Sequence, residues 1–513
     1  MSLGKSHTIA LFGLGGTPVQ VEADISSNLP SFVLVGLPDA SLSEATARVR
    51  SACSNSGLAL PARKITVNLS PASVPKQGSS FDLSIAVAVL AATGMLNASS
   101  VKRFAHFGEL GLDGSVRAVK GVLPMVLAAK KAGFRRAVVP ADNEAEARLV
   151  DGIEVLAADH LMQVAALHGA DVPAVPSSRQ LNVAEDSHQP EFKCMSEVVG
   201  QDEAIEAMTI AAAGRHHMLM IGPPGAGKTM LAERMPTILP MLQPDEALEL
   251  ASIRSLSVLE PISRLPQQPS FEAPHHSCSM PALIGGGVGV PKPGLISLAH
   301  NGVLFLDEAP EFTSQALESL RQPLESGQIN INRASGSAWF PARFQLILAA
   351  NPCQCGHWLT NPAKCSCTPS SRARYLGKLS GPLRDRIDLQ LTLYPATRAT
   401  LSGSSSASQT SEQIRARVEQ AREISRKRLI ETPWKANSEI SGAYLRKHLR
   451  PPASATAPLD EAVTRGLISM RAYDRCLRVA WTICDLNQRN RVSRDDVLRA
   501  LSLRGHTQLG AAA

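Results

Sequence analysis

The feature that most constrains the fold of this 513-residue chain is a glycine-rich loop between a predicted strand and a predicted helix. The apolar run from Met218 to Ile221 predicts a buried parallel strand, and a helix is predicted to begin near Lys228. In this strand–loop–helix context the pattern G-x-x-x-x-G-K-[ST] is typical of a phosphate-binding loop. The loop residues are Gly222, Pro223, Pro224, Gly225, Ala226, Gly227, Lys228 and Thr229.

This loop predicts that ATP and Mg²⁺ are the cofactors. Its glycines allow successive backbone N–H groups to face one anion, and the N-terminus of the following helix adds its positive end. Lys228 is predicted to reach the β- and γ-phosphates, and the Thr229 hydroxyl is predicted to bind Mg²⁺. What the nucleotide drives has to be inferred from the rest of the chain.

Composition places the chain among ordinary globular proteins, with 44% hydrophobic and 19% charged residues. Lys and Arg number 52 against 45 Asp and Glu, a net charge of +7 that is compatible with a nucleic-acid partner. The longest apolar run, residues 83–96, is shorter than the roughly 20 residues of a membrane span, and no signal peptide is recognised. Nine cysteines, an odd number, argue against a secreted disulfide framework. We therefore expect a cytoplasmic protein without a membrane partner.

Alternating strand and helix patterns predict an α/β multidomain chain. An α+β domain is predicted at residues 1–172, a linker at 173–194, an α/β nucleotide-binding core at 195–396, a Ser-rich linker at 397–412 and a helical C-terminal domain at 413–513. In the first domain, strands are predicted at residues 19–25, 32–35, 65–69 and 137–140, and helices at residues 42–56, 81–92 and 121–132. Ser493 is predicted to cap the last helix of the chain.

Two further apolar strands of the core end in polar residues. Residues 302–306 run into Asp307 and Glu308, and residues 346–350 run into Asn351. Burying a strand that ends in paired acids is costly unless a cation or a proton-transfer role compensates for the charges. Asp307 is predicted to hold Mg²⁺ through water, and Glu308 is predicted to polarise the attacking water. A purely structural role for the two acids is the alternative.

Four cysteines follow the Asn351 strand as two C-x-C pairs: Cys353, Cys355, Cys365 and Cys367. Four thiolates in one short loop can close a tetrahedral site for structural Zn²⁺. The C-x-C spacing is a weaker indication of zinc than C-x-x-C, so reduced free thiols remain the alternative.

A predicted β-hairpin at residues 328–343, with its turn at residues 334–337, is the candidate DNA contact. Arg333 and Arg343 would neutralise phosphates while Trp339 stacks on a base, as in proteins that bind single strands. The same alternation suits a packed hairpin with Trp339 and Phe340 in the core. The arginine-rich helix predicted at residues 411–429 is likewise either a nucleic-acid-facing surface or, as we favour, a solvated helix face.

In the first domain, residues 75–83 resemble the serine-bearing turn of Lon-type proteases. Ser80 falls on the nucleophile position, but Leu123 stands where those proteases carry the activating lysine. A serine without a base is not a competent nucleophile, so we expect an inert Lon-protease-like domain with the ribosomal S5-type fold. Lys120 is the only nearby substitute for the lysine, and Ser80 is otherwise a helix cap or a turn residue.

The order of motifs in the core is similar to that of the Mg-chelatase-like AAA+ family. The matching segments are residues 273–277, 284–287, 293–302, the pair Asp307 and Glu308, and residues 381–388, while residues 198–204 resemble the adenine-side segment of AAA+ ATPases. Within this family the chain resembles the YifB/ComM branch over nearly its whole length, including the degenerate Lon-like domain. Asn351 falls where AAA+ proteins keep a side chain that orients the attacking water.

The resemblance implies a hexameric ring motor. Arg386 falls on the arginine-finger position, which reaches the γ-phosphate of a neighbouring subunit, and Arg471 falls on the sensor-two position of a helical lid. Without the resemblance, a surface salt bridge is the simplest interpretation of either arginine.

ComM-type proteins are DNA helicases that extend branch migration when imported single-stranded DNA recombines during natural transformation. The resemblance therefore implies single-stranded and branched DNA, a homo-hexamer and recombination proteins as partners. Two alternatives come from other classes: a Lon-like ATP-dependent protease, and a chaperone-like motor subunit of a metallochelatase complex.

Overall fold

The structure is a computed structural model that describes most of the chain. The described residues are 3–36, 40–76, 78–174, 193–257, 262–287, 291–333, 336–395 and 409–504. Most of both predicted linkers, at 173–194 and 397–412, lies outside these residues. Gln77 of the serine-bearing turn and residues 334 and 335 of the predicted hairpin turn also lie outside them.

The first domain is built on a seven-stranded mixed sheet of order β3-β4-β2-β1-β5-β8-β9, beside a β6-β7 ribbon. The strands are β1 Gly4–Phe12, β2 Gly15–Ser26, β3 Ser31–Val35, β4 Lys64–Ser70, β5 Phe104–His106, β6 Glu109–Leu110, β7 Val116–Arg117, β8 Arg136–Pro140 and β9 Glu154–Ala158. Within the sheet, β2 is antiparallel to both β1 and β4, and the other pairs are parallel. The α+β prediction is thereby confirmed as a mixed sheet covered by helices.

The helices of the first domain are α1 Ala40–Ser43, α2 Ala45–Asn55, α3 Asp82–Thr93, α4 Ala98–Val101, α5 Val122–Lys131, α6 Glu144–Ala147 and α7 Leu161–Leu167. Helix α3 is the centre of the core, since its residues 82–92 are all buried. The one hydroxyl in this buried stretch, that of Ser84, donates a hydrogen bond to the carbonyl of Phe81 at 2.8 Å. The helix ends at Gly94, whose φ of +84° is the left-handed conformation that glycine adopts without strain.

The second domain, which is the predicted nucleotide-binding core, surrounds a five-stranded sheet of order β11-β14-β17-β10-β18. Its strands are β10 Met218–Ile221, β11 Phe271–Glu272, β12 Gly285–Gly286, β13 Lys292–Pro293, β14 Val303–Leu306, β15 Gln328–Arg333, β16 Gly336–Pro341, β17 Gln345–Ala350 and β18 Leu389–Thr392. Its helices are α8 Asp202–Gly214, α9 Lys228–Ile238, α10 Pro244–Ser257, α11 Met280–Ile284, α12 Leu295–Leu298, α13 Ser314–Ser319, α14 Arg321–Ser326, α15 Pro369–Gly377 and α16 Gly381–Arg384.

All neighbours in the five-stranded sheet are parallel. Every residue of β10, β14 and β17 is buried, which explains why the three strands are continuous apolar runs in the sequence rather than alternating ones. The three predicted strands are therefore confirmed, and they lie side by side at the centre of the sheet.

Residues 409–504 form helices α17 Ser411–Arg428, α18 Gly442–His448, α19 Ala453–Thr464, α20 Met470–Leu486 and α21 Arg494–Ser502. Their apolar faces share one hydrophobic cluster with α8, α9 and β10, so they pack directly on the nucleotide-binding core. The predicted cap is confirmed, because the Ser493 hydroxyl accepts the N–H of Asp496 at 3.2 Å. None of the helices in the described part of the chain is long and apolar enough to cross a membrane.

Two arginines of α17 are structural. The guanidinium of Arg422 donates to the carbonyl of Ala212 at 3.0 and 2.6 Å, and satisfies the C-terminal end of α8. Arg428 makes a bidentate ion pair with the buried carboxylate of Asp485 at 2.6 Å. These two side chains hold the helix to its neighbours, so the arginine-rich pattern is not a single solvent-facing surface.

The first domain docks on the nucleotide-binding core through the β1–β2 turn and the start of α5. Phe12 and Leu14 of this turn pack into the hydrophobic cluster beneath the β15–β16 hairpin. At the start of α5 the N–H of Gly121 donates to the carbonyl of Ser255 at 3.0 Å. Gly13 has a φ of +63°, and a Cβ at this position would lie 2.9 Å from the carbonyl oxygen of Trp339. The turn therefore requires a glycine on both counts.

Two buried histidines form a hydrogen-bonded pair inside the first domain. The Nε2 atoms of His106 and His168 are 3.0 Å apart, and the Nδ1 atom of His168 lies 3.0 Å from the Ser100 hydroxyl. Burial lowers the pKa of His168 to about 4 and that of His106 well below its ordinary value. Both rings are therefore neutral at pH 7, and one donates its Nε2–H to the other.

Acid is expected to destabilise the first domain through this pair. Between the ordinary pKa of 6.5 and the folded value of about 4 for His168, the unfolded chain binds a proton that the folded chain does not. The stability is complete above pH 6.5 and falls as the pH drops towards 4, by on the order of 2 kcal/mol at pH 4.5. Denaturant unfolding followed by circular dichroism between pH 4.5 and 7.5 measures how the free energy of unfolding depends on pH. His168→Gln should weaken this pH dependence, whereas the exposed His448→Gln should leave it unchanged. An equal pH dependence in the wild type and both variants would contradict the role given to His168.

Candidate nucleotide site

Three neighbouring parallel strands end at the same edge of the sheet. Ile221 at the end of β10 is in register with Ala350 at the end of β17, and Leu306 at the end of β14 is in register with Leu348. The carboxyl ends of parallel strands are where open α/β sheets bind their ligands. The predicted loop after β10, the acids after β14 and the amide after β17 therefore meet at one place.

Lys228 is the first residue of α9 and its side chain is buried. Its ammonium group donates to the carbonyls of Gly222 at 2.6 Å and Pro223 at 3.0 Å, and to the side-chain oxygen of Asn351 at 3.1 Å. Burial lowers the pKa of Lys228, and the carboxylates of Asp307 and Glu308 oppose that shift. The lysine thus sits inside the loop, joined to the end of the neighbouring strand.

The loop that surrounds Lys228 has the backbone of an anion cradle. Gly225 has a φ of +77° and Gly227 a φ of +83°, conformations that L side chains rarely adopt. Gly222 packs so closely on Leu393, the residue after β18, that a Cβ there would lie 2.9 Å from the carbonyl oxygen of Leu393. The glycines of the predicted motif are therefore required by the local geometry, and the N-terminus of α9 completes the cradle.

Thr229 and Asp307 form the part of the site that fits Mg²⁺. The Thr229 hydroxyl donates to the Asp307 carboxylate at 2.7 Å. The other carboxylate oxygen accepts the N–H of Glu308 at 2.9 Å, which fixes the orientation of the acid. A hydroxyl and a carboxylate in contact offer the oxygen ligands that Mg²⁺ takes beside nucleotide phosphates.

Glu308 follows Asp307 at the end of β14 and is partly exposed. The residue has a φ of +49°, an uncommon conformation for a non-glycine residue, and about half of its side chain is exposed. His276, from the loop after β11, has its Nδ1 atom 3.5 Å from the Glu308 carboxylate. The sequence analysis cited His276 only as part of a family motif and missed this contact, because β11 is two residues long and gives no pattern of its own.

Arg386 lies on a different face of the core. Its guanidinium donates to the carbonyl of Pro382 at 2.6 Å and pairs with the Glu325 carboxylate. Burial, together with the neighbouring Arg321, Arg475 and Arg471, lowers its pKa. Arg386 lines a cavity of 1980 Å³, and none of residues 222–229 contributes to the lining.

Arg471 lines the same cavity as Arg386. Its side chain is 84% exposed, and its guanidinium is 3.9 Å from the Asp385 carboxylate. Arg471 therefore lies beside the Arg386 turn, in a cavity to which residues 222–229 do not contribute, and its sensor-two role stays a prediction. It lies there because α20 packs its N-terminal end beside the turn that carries Arg386.

A buried ion network holds the Arg386 turn in place, and the sequence analysis missed it. Arg475 on α20 donates both to the Asp388 carboxylate at 2.5 Å and to the carbonyl of Arg386 at 3.2 Å. His216 lies 3.1 Å from the same carboxylate. Burial acts to raise the pKa of Asp388, but Arg475 and His216 outweigh it and hold the pKa well below its usual range. In the sequence, the only indication of this ion network is Asp388, a polar residue just before strand β18.

The predicted hairpin is confirmed as β15 and β16, with Arg333 in register with Gly336 and Gln328 with Pro341. Trp339 is 47% exposed whereas Phe340 is fully buried, so only Phe340 is a core residue, and base stacking by Trp339 stays a prediction. Arg333 lies at the turn end of the hairpin, and Arg343 lies beyond its base, where it lines the Arg386 cavity. The three predicted DNA contacts are therefore spread along the hairpin and do not form one cluster.

The four cysteines after Asn351 come together. The sulfur of Cys353 is 3.4 Å from that of Cys355 and 3.7 Å from that of Cys365, and the last two are 3.5 Å apart. The sulfur of Cys367 lies within 4.8 Å of the other three. A tetrahedron of sulfurs at the usual zinc–sulfur distance of 2.3 Å has edges of about 3.8 Å. The donor set therefore fits a tetrahedral metal ion.

Both candidate lysines near the serine-bearing turn of the first domain donate to backbone carbonyls, and the hydroxyl of Ser79 in this turn donates to the Glu109 carboxylate. Ser80 is buried in a single 3₁₀ turn, Ser79–Phe81, whose start lacks a side-chain cap, so it is a turn residue rather than a cap. Leu123 is fully buried in the core. Lys120 donates to the carbonyl of Ser257 in the nucleotide-binding core at 3.2 Å, and Lys76 donates to the carbonyl of Pro71. Neither lysine acts on Ser80 in this arrangement.

The sequence matches one family along most of its length. Residues 194–401 match the family described as magnesium chelatase, subunit ChlI, residues 21–143 match subunit ChlI of Mg-chelatase, and residues 408–504 match the C-terminal part of that subunit. The three segments correspond to the nucleotide-binding core, most of the first domain and the C-terminal helices.

Several proteins are similar over their full length. An uncharacterised protein of Mycobacterium tuberculosis is 46% identical over 507 residues, which cover 98% of this chain and 99% of that protein. The uncharacterised protein YifB of Escherichia coli is 41% identical, with 99% and 98% covered. The competence protein ComM of Haemophilus influenzae is 41% identical, with 99% of both chains covered. These matches and the geometry of the nucleotide site agree, and the chain belongs to the Mg-chelatase-like YifB/ComM family.

Proposed function

We propose that this protein is an ATP-driven ring motor that acts on DNA as a helicase and promotes branch migration during recombination of imported DNA. The observation that carries the proposal is the division of the ATP machinery between two faces of one chain. Lys228, Asp307 and Asn351 meet at one edge of the sheet, while Arg386 lines a cavity that the nucleotide loop does not reach.

ATP hydrolysis is the chemistry that the first face supports. The loop and Lys228 bind the phosphates, Thr229 and Asp307 hold Mg²⁺, and Asn351 and Glu308 orient and polarise the attacking water. Bound Mg²⁺ supplies the positive charge that offsets the charge developing on the transferred phosphoryl group. The family to which the chain belongs supports the use of ATP and Mg²⁺.

The assembly of a ring is inferred from the face that carries Arg386. An arginine that stabilises the transition state but lies away from its own nucleotide loop has to act on the loop of a neighbouring subunit. Every subunit then needs a neighbour on both faces, and head-to-tail interfaces close into a ring. Arg386, with Arg471 beside it, is the candidate for this role, and a homo-hexamer is the assembly we propose.

DNA is the proposed substrate because the hairpin offers an exposed aromatic ring and a cation on the same strand pair. Trp339 is positioned to stack on a base and Arg333 to neutralise a phosphate. The similarity to a competence protein over the full length supports a role in competence, and we propose single-stranded and branched DNA as substrates with recombination proteins as partners. Arg343 is assigned to the subunit interface instead, because it lines the same cavity as Arg386.

A structural zinc ion at Cys353, Cys355, Cys365 and Cys367 completes the proposed cofactors. The four thiolates would hold the ion and close the loop that contains them, because structural zinc sites contribute folding free energy directly.

Glu308→Gln is expected to abolish turnover without abolishing ATP binding. The amide keeps the shape of the side chain but cannot polarise water, so kcat should fall by about 10² to 10⁴. Steady-state ATPase assays and equilibrium binding of a fluorescent ATP analogue measure the two effects. Glu311→Gln is the matched control, since Glu311 lies in the next turn and its partner is Lys378. Hydrolysis that survives in Glu308→Gln would remove this residue from the role.

Single-stranded or forked DNA is expected to stimulate the ATPase, and ATP to drive strand displacement from the fork. Trp339→Ala should reduce the stimulation while leaving DNA-free turnover unchanged, because the side chain is outside the nucleotide site. If DNA has no effect on turnover, a metallochelatase-type motor becomes the better assignment. Degradation of casein that Ser80→Ala abolishes would instead establish the protease alternative.

Mixing two inactive variants tests whether Arg386 acts on the neighbouring subunit. Arg386→Ala keeps an intact Glu308, and Glu308→Gln keeps an intact Arg386, so a mixed ring regains complete sites at about a quarter of its interfaces. ATPase activity of a one-to-one mixture should therefore exceed that of either variant alone. A mixture as inactive as its components would show that both residues serve the same subunit's site.

A further inference from the structure

The cysteine loop touches the nucleotide loop directly. It begins at Cys353, two residues after Asn351, and ends at Cys367, just before α15. Gly356 in this segment has a φ of +80°, and a Cβ at this position would lie 2.7 Å from the Cδ atom of Pro224. The cysteine loop and the phosphate-binding loop are therefore packed backbone to side chain, with no room for a methyl group between them.

Gly356 is held from the side of the sulfur cluster. It follows Cys355 directly, and its N–H donates to the carbonyl of Cys353 at 3.0 Å. The sulfurs of these two cysteines are 3.4 Å apart, so the turn that carries Gly356 is closed by the same pair. Whatever fixes the two sulfurs also fixes the position of Gly356 against Pro224.

The far end of the cysteine loop is anchored to α15. The guanidinium of Arg372 lies 3.4 Å from the ring centroid of Trp358 and donates to the carbonyl of Cys367 at 3.2 Å. One turn further, Tyr375 is buried, and the backbone of Asn351 acts against the rise in its pKa that burial causes. Both ends of the cysteine loop therefore lie near Asn351, the residue that contacts Lys228.

The loop contains little regular structure to hold this arrangement. Between Cys353 and Cys367 a single 3₁₀ turn, Pro362–Lys364, is present. A long loop without regular structure is ordered only at the expense of its conformational entropy, and a metal ion bound by both ends removes much of that cost. Four thiolates a few ångströms apart would otherwise repel each other once ionised, whereas a divalent cation compensates their charge.

We infer that the four-thiolate site is a zinc clasp of the nucleotide site, in which bound Zn²⁺ keeps Gly356 against Pro224 and thereby sets the affinity for ATP. The inference rests on the proposed ATPase function. Loss of the ion frees the turn, and Pro224 loses the surface on which it packs. The phosphate cradle then has to be ordered by the nucleotide itself, so its binding weakens.

The test compares zinc content with nucleotide affinity in the full chain. Metal analysis should find one zinc per chain in the wild-type protein. Cys355→Ser combined with Cys365→Ser should lose the zinc and raise the Kd for a fluorescent ATP analogue by roughly tenfold, the scale on which supporting residues affect a site. Gly356→Ala should keep the zinc, because all four thiolates remain, and still raise the Kd, because the added Cβ meets Pro224 and the positive φ strains the turn. Cys194→Ser, a cysteine outside the cluster, should change neither quantity.

The outcomes separate the inference from the function on which it rests. Zinc loss with an unchanged Kd, or Gly356→Ala with wild-type affinity, overturns the clasp even if ATPase activity is intact. A wild-type protein that is free of zinc and binds nucleotide normally overturns the metal assignment. A zinc-containing wild-type protein that binds no nucleotide overturns the proposed function and the clasp together. Circular dichroism of the double variant distinguishes a local effect from unfolding, and Gly356→Ala tests the contact independently of cysteine chemistry.

Discussion

The hydrogen bonds that join Lys228 to Asn351 and Thr229 to Asp307 are the interactions on which the arrangement of the nucleotide site depends. Each joins a residue at the start of α9 to a residue at the end of a neighbouring strand. They exist because three strands with apolar residues on both faces can be buried only as parallel neighbours, with helices covering the sheet. Such a sheet brings every polar residue that follows a strand to the same edge.

The position of the Arg386 turn depends on buried ion pairs rather than on the parallel sheet. The Arg386 turn is held by the ion network of Arg475 and Asp388, which lies at the junction between the C-terminal helices and the core. A buried carboxylate is stable only with partners, and removing either partner would leave an uncompensated charge. The C-terminal helices therefore serve the turn that carries Arg386, and Arg471 accompanies that turn. Both arginines therefore line the same cavity, at which we propose that a neighbouring subunit binds.

In the first domain, the lysine nearest the expected catalytic position makes a structural contact. Lys120, the only candidate base near the expected lysine position, bonds a carbonyl at the end of α10 instead. The β1–β2 turn meanwhile packs beneath the hairpin that carries Trp339. Contacts of this kind tie the domain to the element proposed to touch DNA. The domain is therefore positioned to support the hairpin, and the chemistry of Ser80 is not needed for that role.

The sequence by itself determined the local chemistry. Continuous apolar runs followed by Lys228, Asp307 or Asn351 have one stable arrangement, and the glycines of the loop have positive φ values that other residues rarely adopt. Strands β1, β5 and β9 were not predicted, because β1 mixes polar and apolar residues and β5 is three residues long. Only the tertiary structure decided which face carries Arg471, how Arg333 and Arg343 separate, and that the four cysteines meet beside Pro224. Those outcomes depend on packing between elements far apart in the chain, and a local sequence pattern contains no information about such packing.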